Sequence, residues 1–249
     1  MQRYFIDRQI DGGLVTITGD DARHISRVMR MKQGDSIICC DPDSRCAVCT
    51  IEELSIESVT ASVGKFLNDT VELPINVTIA QGLPKGDKLD LIVQKGTELG
   101  AAMFLPFEAE RSIVKWDRKK QQKKTERLQK IAKEAAEQAH RGRVPDVSEP
   151  ISFQELLSRS KQHHVKIVAY EEEAKHKENE KFAKALRQAA AGDSLLVAIG
   201  PEGGFSDDEA LALKEHGFFL FGLGPRILRT ETAALYILAA VSYQFELLG

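Results

Sequence analysis

Over the first 72 residues, short β-rich runs alternate with turns. Residues 14–17, 36–40, 46–51 and 59–63 recur at intervals of roughly ten residues, the rhythm of a small barrel or sandwich. One helical stretch interrupts them at 20–31, where Ile25, Val28 and Met29 fall on one side and His24, Arg27 and Arg30 on the solvent side. Past Leu73-Pro74 the texture changes. Continuous apolar runs at 75–81, 103–107, 165–170, 194–200 and 218–222 alternate with amphipathic stretches near 86–100, 118–141, 152–162, 178–191 and 206–216. Strands that are apolar throughout and separated by helices predict a parallel sheet covered on both faces. The expected organisation is a small β domain over 1–72 and an α/β domain over 73–249. A final helix carries the stripe Ala233, Ala234, Ile237, Leu238, Val241 and Phe245.

Composition narrows the class. With 43% hydrophobic and 29% charged residues the chain reads as globular rather than disordered. Its longest nearly apolar run, 233–243, spans 11 residues, well short of the ~20 that a membrane-crossing helix needs. The opening Met1-Gln2-Arg3-Tyr4-Phe5 lacks a signal-peptide core, so neither a membrane partner nor secretion is expected. The net charge of −3 argues against a generic nucleic-acid coat protein. Its distribution qualifies that reading, because residues 111–143 hold 12 Lys/Arg against 4 Asp/Glu, whereas residues 1–72 hold 8 against 12.

Cys39, Cys40, Cys46 and Cys49 lie close together, the last two in CxxC spacing. They read as two strands of a hairpin around Asp41-Pro42-Asp43-Ser44, in which Cys39 and Cys40 point to opposite faces and four thiolates do not converge on one ion. Reduced, partly buried core cysteines are expected, in a cytoplasmic setting. His163-His164 begins a surface strand without a metal-binding spacing, and no metal is expected. Trp116, the sole tryptophan, is expected to pack against the basic helix.

Two glycine-rich bends stand where ligands gather in open α/β sheets, at strand carboxyl ends leading into helices. The first is Ile199-Gly200-Pro201-Glu202-Gly203-Gly204-Phe205-Ser206, with Ser206 and Glu209 forming a capping box. The second is Gly222-Leu223-Gly224-Pro225-Arg226-Ile227-Leu228-Arg229-Thr230-Glu231-Thr232-Ala233, with Thr230 or Thr232 able to cap the last helix. Glycines let backbone approach a ligand, and arginines flanking Ile227-Leu228 suit a flat, partly apolar molecule better than a bare phosphate. No dinucleotide fingerprint or P-loop is present.

Together with His24-Ile25-Ser26-Arg27-Val28-Met29-Arg30 and Gly34-Asp35, then Gln94-Lys95-Gly96-Thr97-Glu98-Leu99-Gly100 and Glu134-Ala135-Ala136-Glu137-Gln138-Ala139-His140-Arg141, these bends resemble the signature of RsmE-type ribosomal RNA methyltransferases of the SPOUT superfamily. The resemblance covers essentially the whole chain; Met29 stands where the family usually has Leu. It implies a PUA-like β-barrel over 1–72 that helps bind RNA. It also implies a SPOUT methyltransferase domain over 73–249, with a parallel sheet and a deep trefoil knot, which periodicity alone does not suggest. Further implications are a homodimer, S-adenosylmethionine as cofactor, and N3-methylation of one uridine in small-subunit (16S) ribosomal RNA, free or in the assembled subunit.

The residues make chemical sense for that reaction. Methyl transfer from a sulfonium is an in-line displacement dominated by alignment. Uridine N3 must lose its proton, so a base, or a cation stabilising the uracil anion, is required. Glu202, Arg226, Arg229 and Glu231 are the available groups, with Arg226 or Arg229 expected to steady the developing charge. Gly200, Gly203, Leu223, Gly224, Ile227 and Leu228 are expected to hold the cofactor. An Arg229–Glu231 or Arg226–Glu202 ion pair that merely shapes the loops is the alternative. Because N3 lies on the Watson–Crick edge, the target must be unpaired or flipped out. RNA phosphates would meet the 111–143 segment, with Arg141 and Arg143 beside the Gly142 turn, and the patch His24, Arg27 and Arg30. Two rivals remain: an RNA-binding module that has lost catalysis, and another SPOUT specificity such as ribose 2′-O or guanosine N1 methylation.

Overall fold

The computed structural model describes residues 1–68, 71–171 and 180–248. It divides into two compact units, one of residues 1–72 and 136–144, the other of 73–135 and 145–249.

In the first unit, β1 (Arg3–Phe5), β2 (Leu14–Thr18), β3 (Ser36–Cys40), β4 (Cys46–Leu54) and β5 (Ser58–Phe66) form one sheet in the order β1-β3-β4-β5-β2. β1 runs parallel to β3 and the other neighbours are antiparallel. Alternate side chains point to opposite faces, so Val15 and Ile17 of β2 turn inward between exposed neighbours. Tyr4, Ile37, Cys49 and Val59 from the other strands meet them in a single core, around which the sheet curls. Helix α1 (Gly19–Arg23) runs straight into a π-helical turn, His24–Val28, where the Met29 amide donates to the His24 carbonyl. The sequence places Val28 and Met29 with Ile25, but they are exposed while Ile25 is buried; the wider π turn rotates the later residues off the core face.

Cys39 and Cys49 join the core, whereas Cys40 and Cys46 face the other side and are joined by a disulfide. The pleat does separate Cys39 from Cys40, but the expected reduced state is corrected for one pair. The β3–β4 register sets Cys40 directly opposite Cys46, within reach of a cross-strand bond.

Residues 136–144 belong with the β unit rather than with 73–249. Glu72 accepts from the Arg141 guanidinium, from the Gly142 amide at 2.9 Å and from Arg143 Nε at 3.2 Å. Arg3 in turn donates to the Arg141 carbonyl at 2.7 Å. A linear boundary at 72/73 misses this segment because the pairing is long-range in sequence.

The second unit is the expected α/β sheet. β6 (Asn76–Gly82), β7 (Met103–Glu108), β8 (Asp146–Val147), β10 (Val165–Ala169), β11 (Ser194–Ile199) and β12 (Phe219–Phe221) are ordered β12-β10-β11-β6-β7-β8, with the short β9 (Ile151–Ser152) also on β7. Every pair is parallel. β11 is buried along nearly its whole length, which is why its sequence shows no alternation. The helices are α2 (Lys88–Glu98), α3 (Arg118–Gln138), α4 (Phe153–Ser160), α5 (Glu180–Arg187), α6 (Asp207–Glu215) and α7 (Thr230–Ser242). Residues 178–179 of the expected stretch 178–191 lie outside the described residues. The stripe of α7 is buried from Ala233 to Val241, and Phe245 is half-buried in a closing π turn, Tyr243–Leu247. His163, expected at the surface, is half-buried with Nε2 3.4 Å from Thr78 Oγ1.

Candidate active site

The two glycine-rich bends follow β11 and β12, which flank β10 in the sheet of the α/β unit, and both line one cavity of about 820 Å³, within the range of small-molecule sites. The bend after β11 is built by backbone constraints. A Cβ on Gly200 would lie 2.9 Å from the Gly204 carbonyl carbon, and the Gly204 amide closes a turn onto the Pro201 carbonyl at 2.9 Å. The Ser206–Glu209 capping box forms as expected. Glu209 also accepts from the Glu110 amide at 2.8 Å, Arg111 donates to the Gly203 carbonyl at 3.1 Å, and Phe205 stacks on Phe107 with centroids 6.0 Å apart. The chain after β7 thus holds the bend from beneath.

The bend after β12 is more open. Gly224 adopts φ +89°, a conformation that L side chains resist, with nothing within 4 Å of its would-be Cβ. Arg226, Ile227 and Arg229 are exposed, Ile227 at 79%. Arg229 is the N-cap of α7, without a side-chain cap bond. Thr230 does not cap the helix as the sequence suggests; its hydroxyl donates to the Gly200 carbonyl at 2.7 Å and accepts from Gln81 Nε2 at 2.8 Å.

Gly200, Gly203, Leu223, Gly224, Ile227 and Leu228 all line the cavity, as do Glu202, Arg226 and Arg229. The ion pairs weighed from sequence are absent among the described residues. Instead Lys88, at the start of α2, reaches Glu202 at 2.8 Å and Glu231 at 3.6 Å. Burial pushes the Glu202 carboxyl up, but Lys88 and the Lys85 amide outweigh it and hold Glu202 below the usual carboxylate range. The hydrogen bond to Glu202 in turn raises Lys88. Glu202, one of the groups available to the reaction, is thus held as a carboxylate paired with Lys88. Arg226 and Arg229 carry no ion pair among the described residues, which leaves their charge available to the cavity.

Lys88, Tyr170 and Gln81 carry no role in the sequence reading, and Arg111 is expected only as part of the 111–143 segment that meets RNA phosphates. Tyr170 lines the cavity and donates to Asp207 at 3.0 Å. The one readable signal was Gln81, a polar residue closing an apolar strand.

Of the expected RNA contacts, Arg27 and Arg30 are exposed. His24 is partly buried, its Nδ1 3.1 Å from the Tyr4 hydroxyl. Arg141 is a correction: it is 2% exposed and ion-paired with Glu72, so it builds the unit rather than meeting phosphate. Trp116 lies under Lys124 Nζ, 4.7 Å from the ring centroid, a cation–π contact with the basic helix.

Cavity, bends and cationic rim define the class of protein. Residues 71–242 match the family model of the RNA methyltransferase domain, and residues 17–63 that of the RNA methyltransferase PUA domain. The chain is 52% identical to ribosomal RNA small subunit methyltransferase E of Bacillus subtilis, over 100% of this chain and 98% of the relative. Its fold matches the crystal structure of a ribosomal RNA small subunit methyltransferase E from Neisseria gonorrhoeae bound to S-adenosyl methionine, with TM-score 0.85, 27% identity and 98% of each chain covered. A Legionella pneumophila structure in complex with the same cofactor matches with TM-score 0.83, 29% identity and 97% of each chain covered. The chain belongs to the ribosomal RNA small subunit methyltransferase E family.

Proposed function

We propose that this protein transfers a methyl group from S-adenosylmethionine to N3 of a uridine in small-subunit ribosomal RNA. The observation that carries the reading is that both glycine-rich bends, twenty-odd residues apart in sequence, line the same cavity. The cavity suits the cofactor: glycine backbone and the apolar Leu223, Ile227 and Leu228 fit a flat ring system, and charged groups stand at its rim. S-adenosylmethionine, when bound, supplies an electrophilic methyl on a sulfonium. The chain's own work is alignment and charge. Rigid bends fix the donor site, and Arg226 and Arg229 offer cations to the carbonyl oxygens of a deprotonating uracil, the charge that grows as N3 becomes nucleophilic.

The curled sheet of 1–72 is read as a PUA-like barrel presenting Arg27 and Arg30 to RNA, and α3 contributes exposed Lys119, Lys120 and Lys123. The trefoil knot, a homodimer and a cytoplasmic location belong to the same reading. Tyr236, Tyr243, Leu247 and Leu248 at the carboxyl end are 46–72% exposed and offer the pairing surface.

Mass spectrometry of nucleosides from small-subunit RNA of a deletion strain tests the reaction. Loss of 3-methyluridine, restored by the wild-type chain, is expected; loss of a 2′-O-methyl or 1-methylguanosine signal instead would reassign the acceptor. Arg226→Ala and Arg229→Ala should each lower turnover about 10²-fold or more if they stabilise the developing oxyanion, with little change in cofactor affinity by calorimetry. Unchanged turnover removes that arginine from the mechanism.

A further inference from the structure

We propose that Gln81 and Thr230 are positioning residues that lock the two cofactor bends into one rigid seat. The inference rests on the cofactor reading above.

Gln81 is fully buried at the end of β6 and does not line the cavity. Its Nε2 lies 2.8 Å from Thr230 Oγ1, 3.0 Å from the Gly82 carbonyl and 3.3 Å from the Gly200 carbonyl. Two of these neighbours are carbonyl oxygens, which only accept, so the nitrogen must be the atom facing them; a flipped amide would set oxygen against oxygen. The Thr230 hydroxyl then has one possible order. It accepts from Gln81 and donates to the Gly200 carbonyl at 2.7 Å. One directed relay therefore joins the last residues of β6 to the start of the first bend and to the residue that ends the second.

Sheet stability alone does not explain the side chain. Its Oε1 is buried and has no partner among the described residues, a desolvation penalty that an aliphatic residue in this strand would avoid. What the amide does, and an aliphatic side chain cannot, is bind both loops at once. Gly200 and Thr230 both line the cavity and are bonded directly to each other, so the relay fixes how the two bends join, and through it the alignment on which the transfer depends.

The test uses the full chain and S-adenosylmethionine. Thr230→Val keeps the shape and removes the hydroxyl; Thr230→Ser keeps the hydroxyl; Gln81→Met supplies an independent break. Calorimetry should show Thr230→Val and Gln81→Met weakening cofactor affinity by about fivefold or more, the loss of roughly one net hydrogen bond. The double variant should be no weaker than the worse single one, because both break one relay. Thr230→Ser should stay close to wild type, and KM for RNA should stay unchanged throughout. A purely structural role would lower the urea midpoint while the folded variant binds cofactor as wild type does, and that result overturns the proposal. So does a Thr230→Ser variant as weak as Thr230→Val. If the wild-type chain itself takes up no S-adenosylmethionine, the cofactor reading fails instead, a result separable from failure of the relay.

Discussion

Glu72 shows how a single carboxylate decides what its neighbours are for. Burial alone would raise its pKa, but Arg141, the Gly142 amide and Arg143 outweigh burial and hold it below the usual range. An arginine with 2% exposure facing such a partner is committed to the fold, which is why the motif ending in Arg141 misleads as an RNA contact. Removing one partner of a buried pair leaves the other charge uncompensated, so Glu72→Gln should destabilise by about 3–5 kcal/mol in urea unfolding at neutral pH. The pH dependence has a definite sign. Because the folded carboxyl is depressed, its contribution is complete above the unfolded carboxylate pKa of about 4.3 and is lost as pH falls through the lower folded value. Wild-type midpoints should therefore drop on acidification in that window, and the Glu72→Gln curve should be flatter there; parallel curves would refute the assignment.

At the scale of elements, the carboxyl end of β6 is the template for the first bend. A Cβ on Gly82 would fall 2.6 Å from Pro201 Cδ and 2.7 Å from Pro201 N, and neither a proline ring nor backbone can swing away from it. Gly82→Ala should lower stability by about 1–3 kcal/mol through overpacking and also weaken S-adenosylmethionine binding, since the bend must shift. Full cofactor affinity in calorimetry, beside a lowered urea midpoint, would detach the bend from the cofactor. Glycine at 82 looks in sequence like an ordinary strand end; its need arises from a residue 119 positions later. The capping box at Ser206, by contrast, was readable because it is complete within four residues.

For the whole molecule the decisive property is where charge lies rather than how much there is. On the proposed function, a chain with net charge −3 would meet RNA through local basic surfaces, and each phosphate contact adds about 0.7–0.9 to the slope of log affinity against log salt. The double variant Arg27→Ala/Arg30→Ala should flatten that slope by about 1.4 or more in anisotropy titrations, while Arg141→Met should leave the slope alone and lower stability; the reverse pattern would restore Arg141 to the interface. Sequence by itself determined the longer strands and helices of the α/β sheet and the two glycine-rich bends, because periodicity, capping and glycine placement act over a few neighbouring residues. Tertiary structure decided that Lys88 rather than an arginine pairs with Glu202, that Arg141 is buried, that Cys40 bonds Cys46, and that Gln81 reaches Thr230. Those outcomes depend on register and on which side chains share a buried space, and both are set only when distant segments pack together.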